Sequence, residues 1–193
     1  MTRIWNVNTT GLIGVGEQQE LVERATAEGV DVIAAQETYM KETTAKNVDD
    51  WLLISSGVQT EKRKTGVAIF ISPQKKGSVA NYLAVSERIV SVTLRTKDGN
   101  CAIVNHHAPD ETRPLAEKEA HWEILNQVVS AIPSSFIILV VGDSNVRWHG
   151  RCCDELDILG PYIFGRGVQY MRQHGHENMD LAADFLRPRS FIF

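Results

Sequence analysis

The chain has 193 residues, with 20 Lys and Arg against 24 Asp and Glu, a formal charge of −4 at pH 7 and an apolar share of 43%. These values exclude a disordered, collagen-like or globally basic nucleic-acid-binding chain, and no apolar run approaches the ~20 residues of a membrane helix. Met1-Thr2-Arg3-Ile4 lacks the apolar core of a secretory signal, and three cysteines, two of them adjacent at Cys152-Cys153, make no disulfide framework. An intracellular setting, nucleus or cytoplasm, is therefore expected.

The predicted elements alternate along the chain. Ile4-Trp5-Asn6-Val7-Asn8 reads as a strand that ends in polar residues. A helix follows over 17–28, with Leu21, Val22 and Ala25 on one face and Gly29 as its stop. Strands are expected at Asp31–Ala35, closed by Gln36-Glu37, at Trp51–Ile54, and at Gly66–Ile71, stopped by Ser72-Pro73; the polar stretch 57–65 is a turn. Arg88–Leu94 and Cys101–Asn105 flank Lys97-Asp98-Gly99-Asn100, a strong hairpin signal. Leu115, Trp122, Leu125, Val129 and Ile132 recur at helical spacing over 112–132, with Thr112 as N-cap and Pro133 as stop. Phe136–Val141 is the most apolar segment and is expected to be a strand buried on both faces. Short helices are read at Glu155–Leu159 and Asn178–Leu186. With no repeat or linker, 1–193 is expected to be one α/β domain.

Four of the strand patterns end in polar residues: Asn6 and Asn8, Glu37, Asn105 to His107, and Asp143 to Asn145. Taken singly, each is an ordinary strand end. Together they place two carboxylates and several amides where layered α/β folds build sites. This hard, oxygen-rich set suits Mg²⁺, which takes one or two carboxylates with phosphate and water. It does not suit zinc, because no Cys-x-x-Cys or His-x-x-x-His occurs.

The same residues carry a resemblance. Trp5-Asn6-Val7-Asn8, Gln36-Glu37-Thr38, Asn105-His106-His107-Ala108-Pro109 and Gly142-Asp143-Ser144-Asn145 resemble, in order, the motifs of the endonuclease/exonuclease/phosphatase superfamily. Within it they are most similar to the apurinic-type endonuclease domain of non-LTR (LINE-like) retrotransposons. Thr65–Phe70, Glu87–Val92 and the segments from Leu159 to Phe185 resemble that family's intervening text, so the likeness spans roughly 3–186. The implied fold is a four-layer α/β sandwich of two packed mixed sheets flanked by helices. The implied reaction is Mg²⁺-dependent (Mn²⁺ also possible) phosphodiester hydrolysis that nicks DNA.

The resemblance also assigns roles. Glu37 is the expected principal metal ligand with Asn6 beside it, and Asn8 and Asn105 assist in holding metal or phosphate. Asp143 orients or deprotonates the attacking water, and Asn145 holds a phosphoryl oxygen. His107 stands where the family usually has Tyr and is expected to donate to the phosphate. Arg63, Arg147, Trp148 and His149 are expected to contact nucleic acid without reading sequence. The partners implied are DNA and a reverse transcriptase module in a longer parent, with no membrane and a monomeric chain. The family's closing Ser-Asp-His motif has no counterpart after Asp184-Phe185, so the final strands are expected to be missing. Two alternatives stay open: a catalytically impaired remnant that binds metal or nucleic acid, and a phosphatase or RNA-end hydrolase of the same superfamily.

Overall fold

A computed structural model describes residues 2–57, 65–150, 157–160, 165–173 and 177–189. They fall into two compact units, Met1–His107 with Val128–Asp143, and Ala108–Gln127 with Ser144–Phe193.

In the first unit, β1 (Ile4–Asn8), β2 (Val32–Gln36), β3 (Thr44–Val48), β4 (Trp51–Ser56) and β5 (Val67–Ile71) form a sheet in the order β1-β2-β5-β4-β3. β1 and β2 run parallel, and the other pairs are antiparallel. A second sheet, in the order β6-β7-β8-β9, contains β6 (Val79–Ser86), β7 (Ile89–Thr96), β8 (Gly99–His107) and β9 (Ile137–Asp143). Its β8–β9 pair is parallel.

The alternation of β-branched residues explains how both faces of the first sheet are used. Val32, Ile54, Val67, Ile69 and Ile71 point to one side and pack on Val90, Val92, Leu94 and Ile103 of the second sheet. Ile33, Ala35, Leu53, Ala68 and Phe70 point to the other side and pack with Val22 and Ala25 of α1 (Val15–Ala27). Each fully buried Ile or Val in this two-sided core contributes about 2 kcal/mol. The result is an α/β architecture of two packed mixed sheets with flanking helices, as expected from the sequence. α1 begins earlier than its apolar pattern suggests, because the Glu17 carboxylate accepts the Gly14 N–H at 2.9 Å and caps the first turn. It ends at Ala27, and Gly29 just beyond turns the chain away with a left-handed φ of 65°.

The hairpin of β7 and β8 closes across Lys97-Asp98 as expected. Three elements of this unit were not signalled: β3, β6 and the short α2 (Pro73–Lys76). β3 and β6 each lie at one end of their sheet and expose polar residues such as Lys46, Asn47 and Asn81, which breaks the apolar signal. β9 corrects an expectation. It is apolar but not buried on both faces: it ends the second sheet, and Ile137 and Leu139 are 51% and 37% exposed. They align with Cys101 and Ile103 of β8, so the open face is the one that turns toward the first sheet.

The second unit holds most of α3 (Leu115–Ser130), α4 (Val168–Gln173) and α5 (Glu177–Leu186). α3 starts after Pro114 rather than at Thr112, because the Asp110 carboxylate accepts the Thr112 N–H at 3.0 Å and closes a turn there. Trp122 packs on Phe185 with ring centroids 5.7 Å apart, and its indole N–H donates to buried Asn178 at 3.0 Å. Buried Lys118 pairs with Glu177 and with Glu111. Of the helix expected at Glu155–Leu159, residues 157–159 form a turn and the remainder lies outside the described residues. α4 was not signalled.

Candidate active site

The polar strand ends of the first unit converge. Asn6 and Asn8 lie on one face of β1, Gln36 closes β2, Asn105 and His107 close β8, and Asp143 closes β9. Side-chain amides tie these ends together. Asn105 Nδ2 donates across the sandwich to the Ala35 and Ala68 carbonyls at 3.0 and 2.9 Å. Gln36 Nε2 donates to Asn105 Oδ1 at 2.7 Å and to Asn6 Oδ1 at 2.9 Å. Asn6 Nδ2 in turn donates to the Gly142 carbonyl at 2.9 Å, joining β1 to β9 just before Asp143.

Gly142 is required where β9 passes His106 of β8. Its φ is 141°, and a Cβ there would lie 1.9 Å from the His106 carbonyl oxygen.

The chain after β2 turns sharply. Glu37 and Tyr39 have φ values of 51° and 55° on either side of buried Thr38. Such left-handed non-glycine residues cost about 1 kcal/mol or more each and persist only where the surroundings fix them. Here Thr38 N–H donates to the Gly66 carbonyl at 3.1 Å and Tyr39 N–H to that of Thr65 at 2.9 Å. From the other side, Gly11 and Leu12 N–H donate to the Glu37 and Thr38 carbonyls at 2.8 and 2.9 Å.

The carboxylates meet through one amide. Asn8 Nδ2 donates to Glu37 Oε1 at 2.7 Å and reaches Asp143 Oδ2 at 3.4 Å. Tyr39 hydroxyl donates to Glu37 Oε2 at 3.0 Å. Burial, with the hydrogen bond and charge of Glu37, raises the Tyr39 pKa and keeps the hydroxyl a donor at neutral pH. His107 Nε2 lies 4.0 Å from Glu37 Oε1. His106 points from the opposite face of β8 and is buried, which lowers its pKa to about 4. Among the described residues no group of three or more His, Cys, Asp and Glu is arranged to hold a metal. The donor chemistry nonetheless fits a hard cation that completes its shell with phosphate and water, because two carboxylates approach one amide.

Asn6, Asn8, Glu37, Asn105, His107 and Asp143 are thus gathered in the first unit. Asn6 has its amide engaged at both ends, and Asn105 is fully buried and tied to backbone. Asn145, Arg147, Trp148 and His149 belong to the second unit. There Asn145 has a φ of 48° and donates to the Ala108 carbonyl at 2.7 Å, and Asn178 donates to the Pro109 carbonyl at 2.7 Å. Arg147 is exposed, Trp148 is buried, and His149 meets the Tyr170 ring edge-on at 4.7 Å. Arg63 lies outside the described residues, as do Cys152 and Cys153. Tyr39 was missed by sequence reasoning. A left-handed turn has no periodic signature, and the Gln36-Glu37-Thr38 motif stops one residue short of it.

No family model matches the chain, and no curated protein matches it. Solved structures do. An AP endonuclease from Archaeoglobus fulgidus shares 15% identity at a TM-score of 0.64, covering 97% of this chain and 71% of that one. The endonuclease domain of TRAS1, a telomere-specific non-LTR retrotransposon, shares 18% identity at 0.53, covering 90% and 71%. D. rerio TDP2, complexed with a single-strand DNA product, shares 14% at 0.54, covering 75% and 60%. This chain has the fold of the endonuclease/exonuclease/phosphatase superfamily, and it spans between 60% and 71% of the length of these three chains. Among the described residues no helix is long and apolar enough to cross a membrane.

Proposed function

We propose that this chain is a Mg²⁺-dependent phosphodiester hydrolase that nicks DNA. The observation that carries the reading is the pairing of Glu37 and Asp143 through Asn8 at the strand ends that bear the family-like motifs. Glu37 would hold the ion with Asn6 beside it, and Asn8, donating toward both carboxylates, holds them to one site. When bound, Mg²⁺ supplies Lewis-acid polarisation of a phosphate oxygen.

Asp143 orients a water and takes its proton as the water oxygen attacks phosphorus. The bond from phosphorus to the departing sugar oxygen breaks, and that oxygen takes a proton from solvent. His107 donates to a phosphoryl oxygen as charge builds there. Arg63, Arg147 and His149 supply sequence-independent DNA contacts, whereas Trp148, expected among them, is buried and packs inside the second unit. The reading carries with it a monomer in the nucleus or cytoplasm and a reverse transcriptase module in a longer parent.

Nicking of supercoiled plasmid in Mg²⁺ tests the reading. Glu37→Ala is expected to reduce nicking to background, and Asp143→Asn to slow it by about 10²–10⁴-fold. Nicking that survives Glu37→Ala overturns the assignment. Hydrolysis of a soluble phosphomonoester without nicking favours the phosphatase alternative, and metal binding without turnover on any substrate favours the impaired remnant.

A further inference from the structure

We infer that Tyr39 is a positioning residue for the Glu37 carboxylate and sets the affinity of this site for its divalent cation; this deepens the proposed function and rests on it. Each oxygen of Glu37 accepts one donor within the site, Oε1 from Asn8 Nδ2 at 2.7 Å and Oε2 from the Tyr39 hydroxyl at 3.0 Å. Two donors on opposite oxygens fix both the direction and the rotation of a carboxylate. One donor alone leaves it free to swing. Asn8 also reaches toward Asp143, so its grip on Glu37 is shared, whereas Tyr39 faces Glu37 from its other side.

The backbone shows why a residue only two positions from Glu37 can fold back on it. In an extended chain, i and i+2 side chains stand apart along one face. Here φ is left-handed at both Glu37 and Tyr39, and main-chain bonds from Thr38 and Tyr39 to Gly66 and Thr65 hold the turn. The ring also has a seat. A Cβ on Gly11 would meet Tyr39 at 3.4 Å, and Gly11 itself sits at a φ of 124°. Turn, ring seat and hydroxyl together set the aim of the carboxylate. Groups that orient a metal ligand in this way change metal affinity by about 10- to 100-fold when removed.

Tyr39→Phe removes the hydroxyl and keeps the ring. Titration of the purified full chain with MnCl₂ by calorimetry, without DNA, is expected to show affinity about tenfold weaker than wild type. Melting without metal should be unchanged, and plasmid nicking should need more Mg²⁺ for half its maximal rate while nearly recovering at saturation. Glu37→Gln run in parallel separates the two levels of the inference. If Glu37→Gln abolishes Mn²⁺ binding and Tyr39→Phe binds like wild type, the positioning role is overturned and the site reading stands. A lower melting temperature for Tyr39→Phe at unchanged Mn²⁺ affinity overturns it equally, because the hydroxyl is then only structural. If Glu37→Gln titrates like wild type, the metal site at Glu37 is overturned, and the Tyr39 role with it.

Discussion

A buried imidazole that stays neutral makes stability depend on pH. His106 is held down to a pKa of about 4 by burial and secondarily by the nearby His107, with Asp143 partly opposing, whereas the same group takes a proton near 6.5 when unfolded. Between these values the unfolded chain binds more protons than the folded one, so stability falls as pH drops from about 6.5 toward about 4. The shift corresponds to a loss on the order of 3 kcal/mol. Denaturant melts at a series of pH values should show this loss in the wild type, and His106→Leu should flatten it. His107 lies on the other face of the strand and near Glu37, so adjacent histidines divide between packing and the site.

At the scale of elements, Asn105 is the pin between the sheets. It donates to carbonyls of β2 and β5 and receives the Gln36 amide. Asn105→Ala leaves buried polar groups without partners, each costing about 1–3 kcal/mol. Urea unfolding should show a loss of about 3 kcal/mol at unchanged m-value. The strands that meet at this pin were legible in the sequence because they are continuous apolar runs capped by amides and acids. β3 and β6 were not, since polar residues such as Lys46, Asn47 and Asn81 at their exposed positions interrupt any apolar run. β9 misled for the opposite reason: its composition reports an apolar strand but says nothing of how many neighbours it has. The site was legible as residue types at strand ends, and the fold brings the first-unit set together. Tyr39 and Gly142 were not legible as site residues, because their roles depend on a left-handed turn and on the absence of a Cβ.

For the molecule as a whole, the exposed apolar positions of β9 have a consequence for solubility. Ile137 and Leu139 leave an apolar strip at the end of a sheet, the kind of surface on which chains stick together. Ile137→Lys, at a position already half exposed, is expected to raise the concentration at which light scattering detects self-association. Its melting temperature should stay close to wild type. A variant that associates as readily as the wild type would move the sticky surface elsewhere.

Gly142 has a consequence for genetics. Every missense change at its codon, whatever the new side chain, introduces the carbon that the His106 carbonyl leaves no room for. On the proposed function, a random-mutagenesis screen for lost nicking would therefore recover Gly142 beside Asp143 and score it as a reactive position. It has no functional group to lose. What the mutation removes is the close passage of two strands on which the aspartate depends.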